Sequence, residues 1–218
     1  AYRCTCPPEE VEAMRERARA QGRTPRYDGT CRGRYGKDPG KPFCVRLLAP
    51  DEGETEVEDL LAGPVRFPNA EIDDMVILRT DGTPTYNFCV AVDDVEMKIT
   101  HVIRGNDHLS NTPKQVLVYR ALGEAPPKFA HISMILGTDK KRLSKRHGAT
   151  SVLEYKKLGY LPEALINYLV RLGWSRGDQE IFTREEIIRH FTLESLNRSA
   201  AVFNPEKLLW LGQEYIKG

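Results

Sequence analysis

No apolar run in this sequence approaches the length of a bilayer span, and the opening Ala1-Tyr2-Arg3-Cys4 lacks the features of a signal peptide. Both absences argue for a cytoplasmic protein with no membrane partner. An excess of charge of one sign is also missing, since the formal net charge is +1. Net charge therefore names no partner. The five cysteines are an odd number in a chain of cytoplasmic character, which speaks against a disulfide framework. Histidine is absent before His101, and neither an internal repeat nor a low-complexity segment occurs. The chain also lacks an initiator Met, and its first residues already read as a strand leading into a motif, so the expectation is an excised internal piece.

What is present suits a folded protein. The 218 residues allow one to two domains, and 40% hydrophobic with 29% charged residues is an ordinary soluble composition. Charge is uneven along the chain. Residues 15–41 hold nine basic residues against Glu16, Asp28 and Asp38, while residues 51–59 hold six acidic residues and no basic one. The first stretch suits either a lobe facing a phosphate backbone or a solvated helix face, and the second reads as a solvated loop. Cys44 and Cys89 lie in apolar, strand-like runs and are read as core thiols.

The pattern predicts a helix over residues 8–21, with Pro8 in its first turn and Gly22 as its stop. Gly, Pro and Asp punctuate residues 22–42, which read as loop or a zinc-knuckle-like structure. Strands are expected at 43–48, 74–79, 86–92 and 99–104, with Asp81-Gly82 making a hairpin turn between the second and third. Thr112 as cap and Pro113 in the first turn open a helix that Gly123 ends. Beyond it, Ser151 with Glu154 and Thr183 with Glu186 have capping-box spacing. Pro162 opens a helix running to Leu172 and closed by Gly173, and Asn204-Pro205 opens another toward Trp210. The class implied is α/β with an α-helical appendix.

Three segments carry the chemistry: Asp81-Gly82-Thr83-Pro84-Thr85-Tyr86-Asn87-Phe88 followed by Asp93-Asp94; His101-Val102-Ile103-Arg104-Gly105-Asn106-Asp107-His108; and Arg142-Leu143-Ser144-Lys145-Arg146-His147-Gly148. The last alone is a weak signal. In this order, and followed by Gly159-Tyr160-Leu161-Pro162-Glu163-Ala164, they make essentially the whole chain resemble bacterial-type glutamyl-tRNA synthetases, class I aminoacyl-tRNA synthetases.

The resemblance implies ATP-dependent activation of L-glutamate to glutamyl-adenylate and its transfer to tRNA(Glu), with ATP carried as its Mg2+ complex and a monomeric enzyme. The third segment matches the family's KMSKS loop. Charge builds on phosphate oxygens as pyrophosphate leaves, so cations placed there stabilise the transition state. Lys145 matches the second, catalytic lysine of the motif, whereas Arg142 stands in place of the first. That substitution keeps the charge and changes its geometry. Ser144 suits a loop whose backbone approaches phosphate.

Arg104 matches the arginine that binds the substrate's side-chain carboxylate, and Tyr86 a tyrosine of the same pocket. The plain alternatives are an ion pair with Asp93 or Asp94 and a half-buried strand tyrosine. Met134 and Ile135 match the pair flanking adenine, although a core strand suits them nearly as well. Asn106 replaces a usual Glu, and Asp107 keeps a carboxylate beside it for nucleotide contacts.

Cys4, Cys6 and Cys31 resemble the structural zinc module of part of this family. Zinc takes four ligands, and three thiolates supply three. Gly33 stands where some relatives have a histidine ligand. Tyr27, four residues before the last cysteine, has the spacing of the tyrosine that glutamyl-queuosine synthetases use; Tyr35 is a second, weaker candidate. Three reduced, metal-free thiols remain the alternative.

The implied organisation is a connective-peptide, acceptor-binding lobe over residues 1–95, with the zinc module at 4–35. The second half of a Rossmann-like nucleotide-binding fold would cover 96–150, and a helical stem-contact region 151–218. The half carrying the HIGH motif and the anticodon-binding domains would lie outside this piece, which alone is expected to be inactive. Two rival readings are a glutamyl-queuosine tRNA(Asp) synthetase and a non-catalytic tRNA acceptor-binding module.

Overall fold

A computed structural model of the chain describes residues 1–34, 40–144 and 151–217. Strand β1 (Tyr2–Cys4) leads into helix α1 (Pro8–Ala20), and β2 (Cys44–Arg46), β3 (Glu54–Asp59), β4 (Gly63–Pro68) and β5 (Val76–Leu78) follow. Helix α2 (Tyr86–Glu96), β6 (His101–Gly105), α3 (Thr112–Leu122) and β7 (Lys128–Ile132) come next. The remaining elements are helices: α4 (Val152–Lys157), α5 (Pro162–Gly173), α6 (Arg184–His190) and α7 (Pro205–Lys217). One sheet has the order β1-β2-β5, both pairs antiparallel, with Tyr2 opposite Arg46 and Cys4 opposite Cys44. The other has the order β4-β3-β7-β6. This is the mixed α/β class that the sequence implies, ending in helices.

Helix α1 starts and stops as its sequence dictates. Pro8 sits in the first turn, where its missing donor is not needed, and Gly22 takes a left-handed φ of 66°. There the N–H of Arg23 closes on the carbonyl of Ala18 at 2.9 Å. Thr183 and Glu186 make the full capping box, the Glu186 N–H reaching Thr183 Oγ1 at 3.2 Å and the Thr183 N–H reaching Glu186 Oε2 at 2.8 Å. Ser151 makes only half of one: it accepts from the N–H of Leu153 at 3.4 Å, while the Glu154 carboxylate turns to Lys157 at 2.6 Å. Asn204 caps α7 by accepting from the N–H groups of Glu206 and Lys207.

Three expectations change. Residues 86–92 are helical, not a strand. Tyr86, Phe88, Val90 and Val92 alternate as a strand would, but Phe88, Ala91 and Val95 are spaced by three and four, and that stripe faces the core. Helix α2 packs on α3 through it, with Tyr119 Oη donating to Asp94 at 2.7 Å and Gln115 to Asn87 at 3.1 Å. The turn at Asp81-Gly82 does form: the Gly82 N–H meets the Arg79 carbonyl at 3.0 Å, and the chain returns only as far as a bridge between Leu78 and Pro84. Cys89 is consequently half-buried on a helix, and Cys44 half-buried on β2.

The acidic stretch is the second change. Residues 54–59 form β3, in which Thr55, Val57 and Asp59 point inward while Glu54, Glu56 and Glu58 face out. Its period of two was hidden under the count of charges. The third is small: a 3-10 turn over Asn106–Asn111 runs into α3, so Thr112 is the fully buried first helical residue and Asn111 holds the cap position.

The chain divides into two units, one of residues 1–58, 64–102 and 109–129, the other of 59–63, 103–108 and 130–218. The first has a core of Leu47, Val57, Ile77, Ala91, Val116, Val118 and Phe129, and a separate cluster of Cys4, Val11, Met14, Tyr27 and Cys31. The second is centred on Leu165, Tyr168, Phe203, Leu208 and Leu211, where the rings of Tyr168 and Phe203 meet edge to face at 5.3 Å.

Candidate functional sites

Within the second unit, the end of β6 is built around buried polar groups. Arg104 is half-buried on the strand, and its Nε donates to Nε2 of His131 at 3.2 Å. His131 Nδ1 lies 2.6 Å from Asp59 Oδ2, and the His131 backbone N–H reaches the same oxygen at 3.1 Å. The other Asp59 oxygen accepts from the N–H groups of Leu61 and Ala62. Burial pushes the Asp59 carboxyl up, but these hydrogen bonds outweigh it and hold the group below its ordinary range. Neither His131 nor Asp59 was singled out in the sequence. The available signal was a histidine inside the apolar run Phe129-Ala130-His131-Ile132.

Immediately after Arg104, the chain crowds itself at Gly105. A Cβ there would lie 2.6 Å from Asp107 Oδ1 and 3.5 Å from Met134 Sδ, so glycine allows the approach. Asp107 Oδ2 is 3.1 Å from Arg142 Nη2, which joins the second and third sequence segments. Arg142 is placed by a short antiparallel turn: the Leu143 N–H meets the Ile135 carbonyl at 2.9 Å, and Leu136 bridges to Arg142. Asp107 and Met134 thus crowd Gly105, and Arg142 joins them through Asp107. Ile135 instead packs into the helical core beside Leu143. Met134 and Ile135 follow β7 rather than lying in it. Ser144 is half-buried at the end of this segment, and Lys145 lies outside the described residues.

In the first unit, Tyr86 is the first residue of α2 and is 55% exposed, which excludes a half-buried strand tyrosine. Asp94 accepts from Tyr119.

The cysteine cluster also belongs to the first unit. The sulfurs of Cys4, Cys6 and Cys31 all lie within 4.8 Å of one another, those of Cys6 and Cys31 at 3.5 Å. Tyr27 Oη stands 3.4 Å from Cys6 Sγ and accepts from the Cys31 N–H at 2.8 Å. Sulfurs at about 2.3 Å from a tetrahedral zinc are about 3.8 Å apart, and a phenol oxygen about 3.5 Å from each. The spacing of the three thiols is thus compatible with a zinc ion, and the Tyr27 phenol oxygen stands beside them. Tyr35 lies outside the described residues. Without metal, burial pushes the Cys6 thiol up to about 12 and raises the Tyr27 phenol. Burial acts upward on Cys31 as well, but hydrogen bonds from Tyr27 and the Thr5 backbone bring it down to about 7. A thiolate is thus accessible at the centre of the cluster near neutral pH.

Several charges of the basic stretch are held in ion pairs. Arg15 and Arg19 pair with Glu12, and Arg32 is bound to Asp74 and Asp51. Arg3, Arg34, Lys41 and Arg79 line an open cavity of about 580 Å3.

Residues 1–210 match the family described as tRNA synthetases class I (E and Q), catalytic domain, and the chain belongs to that family. Its α/β architecture is the Rossmann-like one of the class. Among relatives it is similar to the glutamate–tRNA ligase of Trichlorobacter lovleyi, with 62% identity over 217 residues that cover 100% of this chain and 47% of the relative. The glutamate–tRNA ligase of Thermodesulfovibrio yellowstonii is 64% identical, covering 100% and 46%. A crystal structure of a glutamate tRNA ligase from Elizabethkingia meningosepticum, in complex with its amino acid, superposes with a TM-score of 0.86 at 34% identity, covering 99% of this chain and 49% of that one. The chain spans about half the length of the curated relatives it matches. No helix among the described residues is long and apolar enough to cross a membrane.

Proposed function

We propose that this chain is part of a cytoplasmic, monomeric glutamate–tRNA ligase that activates L-glutamate with ATP and Mg2+ and transfers it to tRNA(Glu). The observation that carries the reading is similarity to glutamate–tRNA ligases at 62% identity across 100% of the chain. In this reading Arg104 binds the γ-carboxylate and Tyr86 lines the same pocket. Met134 and Ile135 contact adenine, while Asp107, Arg142, Ser144 and Lys145 serve the nucleotide and its phosphates. The approach of Asp107 and Met134 to Gly105, and the pairing of Asp107 with Arg142, support those nucleotide roles. The lobe of residues 1–95, with Arg3, Arg34, Lys41 and Arg79, meets the acceptor stem through its backbone phosphates. Residues 96–150 are then the second half of the nucleotide fold and 151–218 the stem-contact region. Cys4, Cys6, Cys31 and Tyr27 would hold a structural zinc, as their spacing allows.

Arg104→Ala in the complete ligase tests the substrate assignment. Removing a charge-assisted, bidentate contact is worth about 2–4 kcal/mol, so the glutamate KM should rise roughly thirtyfold or more while the ATP KM stays near its starting value. An unchanged glutamate KM would assign the carboxylate to another cation. Charging of tRNA(Asp) in place of tRNA(Glu) would point to a glutamyl-queuosine synthetase.

A further inference from the structure

We infer that His131, held as a neutral imidazole by Asp59, is a positioning residue that aims the Arg104 guanidinium and thereby sets its preference for a carboxylate over the corresponding amide. The inference rests on the reading of Arg104 as the glutamate-binding cation.

The direction of each proton follows from what the groups can do. A guanidinium nitrogen donates and does not accept, so the 3.2 Å contact from Arg104 Nε requires a lone pair on His131 Nε2. The Asp59 carboxylate accepts from three backbone N–H groups, those of Leu61, Ala62 and His131, and lies 2.6 Å from Nδ1. It is an acceptor only, so Nδ1 carries the proton. The geometry assigns the Nδ1–H tautomer and makes the Asp59–His131 contact a hydrogen bond from neutral imidazole rather than an ion pair. Both side chains are essentially inaccessible, at 0% and 1%, so the ring is fixed from behind.

That order has a consequence at the other end of Arg104. With Nε turned inward to His131, the edge formed by Nη1 and Nη2 is the one able to meet a substrate carboxylate with two parallel hydrogen bonds. An amide set against the same edge places its NH2 against a donor. A guanidinium free to pivot can relieve that clash, and one held at Nε cannot. His131 therefore acts on discrimination, not on the chemistry of activation.

The test uses two variants of the complete ligase, assayed by pyrophosphate exchange with glutamate and with glutamine. His131→Asn puts an amide nitrogen where Nδ1 was, keeping the bond to Asp59 and leaving nothing at the Nε2 position. It should raise the glutamate KM by roughly tenfold, and lower the glutamate-over-glutamine ratio of kcat/KM by a similar factor, with the ATP KM little changed. His131→Gln returns an oxygen to the Nε2 position and should recover most of both. Equal damage by the two variants, or a preserved ratio in His131→Asn, would reduce His131 to a packing residue. Arg104→Ala separates the two claims. If it leaves glutamate binding intact, the reading of Arg104 fails; if it is damaging while His131→Asn is not, only the present inference fails. Should the variants not fold, 15N spectra of the unaltered protein decide: a proton on Nδ1 alone is expected, and a doubly protonated ring overturns the proposal.

Discussion

Arg32 sets its Nε and Nη2 against the two carboxylate oxygens of Asp74, each at 2.6 Å. Asp74 is 2% exposed and also accepts from the Ala49 N–H at 2.9 Å and from the Tyr2 hydroxyl. This fork fastens the loop after α1 to the segment entering β5, and Arg32 Nη1 extends it to Asp51 at 2.5 Å. The contact belongs to the architecture of the cysteine lobe.

Arg32→Ala should therefore destabilise the protein, because it leaves a buried carboxylate without its cation. The expected loss at neutral pH is about 3 kcal/mol, read from urea unfolding. Arg32→Lys should recover only part, since an ammonium cannot reproduce the fork. Burial pushes the Asp74 carboxyl up, yet the hydrogen bonds from Arg32 and Tyr2 prevail and hold it below the ordinary range. A folded value depressed in this way contributes stability that is complete above the unfolded value, about 3.9, and lost as pH falls through the folded one. The gap between wild type and Arg32→Ala should accordingly narrow below about pH 4. A gap that is constant with pH would mean Arg32 acts through packing.

The first half of this lobe was readable in advance, and the contrast with α2 shows why. Pro8 and Gly22 bound α1 by local backbone chemistry, so the sequence alone locates it. Over residues 86–92 the pattern fits two periods, and only packing of Phe88, Ala91 and Val95 against the core selects the helix. Tertiary contact decides there, and local propensity does not. The same limit applies to the candidate site. Arg104 and Asp107 stand out in a motif, but the support of Arg104 by His131 and Asp59 joins positions 27 and 72 residues apart, a pairing that no local pattern announces.

Arg142 and Asp107 lead to a prediction of the opposite kind. Their 3.1 Å pair is largely solvated, with side-chain exposures of 67% and 33%, so Arg142→Ala should change stability by no more than about 0.5 kcal/mol. Its effect should fall on adenylate formation in the complete ligase, lowering the pyrophosphate-exchange rate. Lys145→Ala should lower that rate more steeply than Arg142→Ala, with far less effect on the glutamate KM, as expected for a cation acting on the transition state. Parallel losses in rate and glutamate affinity would assign Lys145 to substrate binding instead.

The cysteine lobe offers the most direct measurement. Cys4 on β1, Cys6 just before α1, and Cys31 with Tyr27 in the loop after α1 bring donors from three parts of the chain together, and Val11 and Met14 of α1 pack on the same cluster. A zinc ion there would bind thiolates, and Cys31, brought down to about 7, loses its proton more readily than Cys6. Elemental analysis of protein purified without chelator should find close to one zinc per chain. Cys31→Ser should abolish it and lower the melting temperature, and chelation should bring the wild type toward the variant. Tyr27→Phe distinguishes the fourth ligand: it should weaken zinc affinity while retaining the ring under the Arg46 guanidinium, 3.9 Å away. Unaltered affinity in Tyr27→Phe would leave three thiolates and a different fourth donor. Protein that binds no zinc, and whose melting is indifferent to chelator, would leave the lobe held by the Arg32–Asp74 fork and the packing of α1 alone.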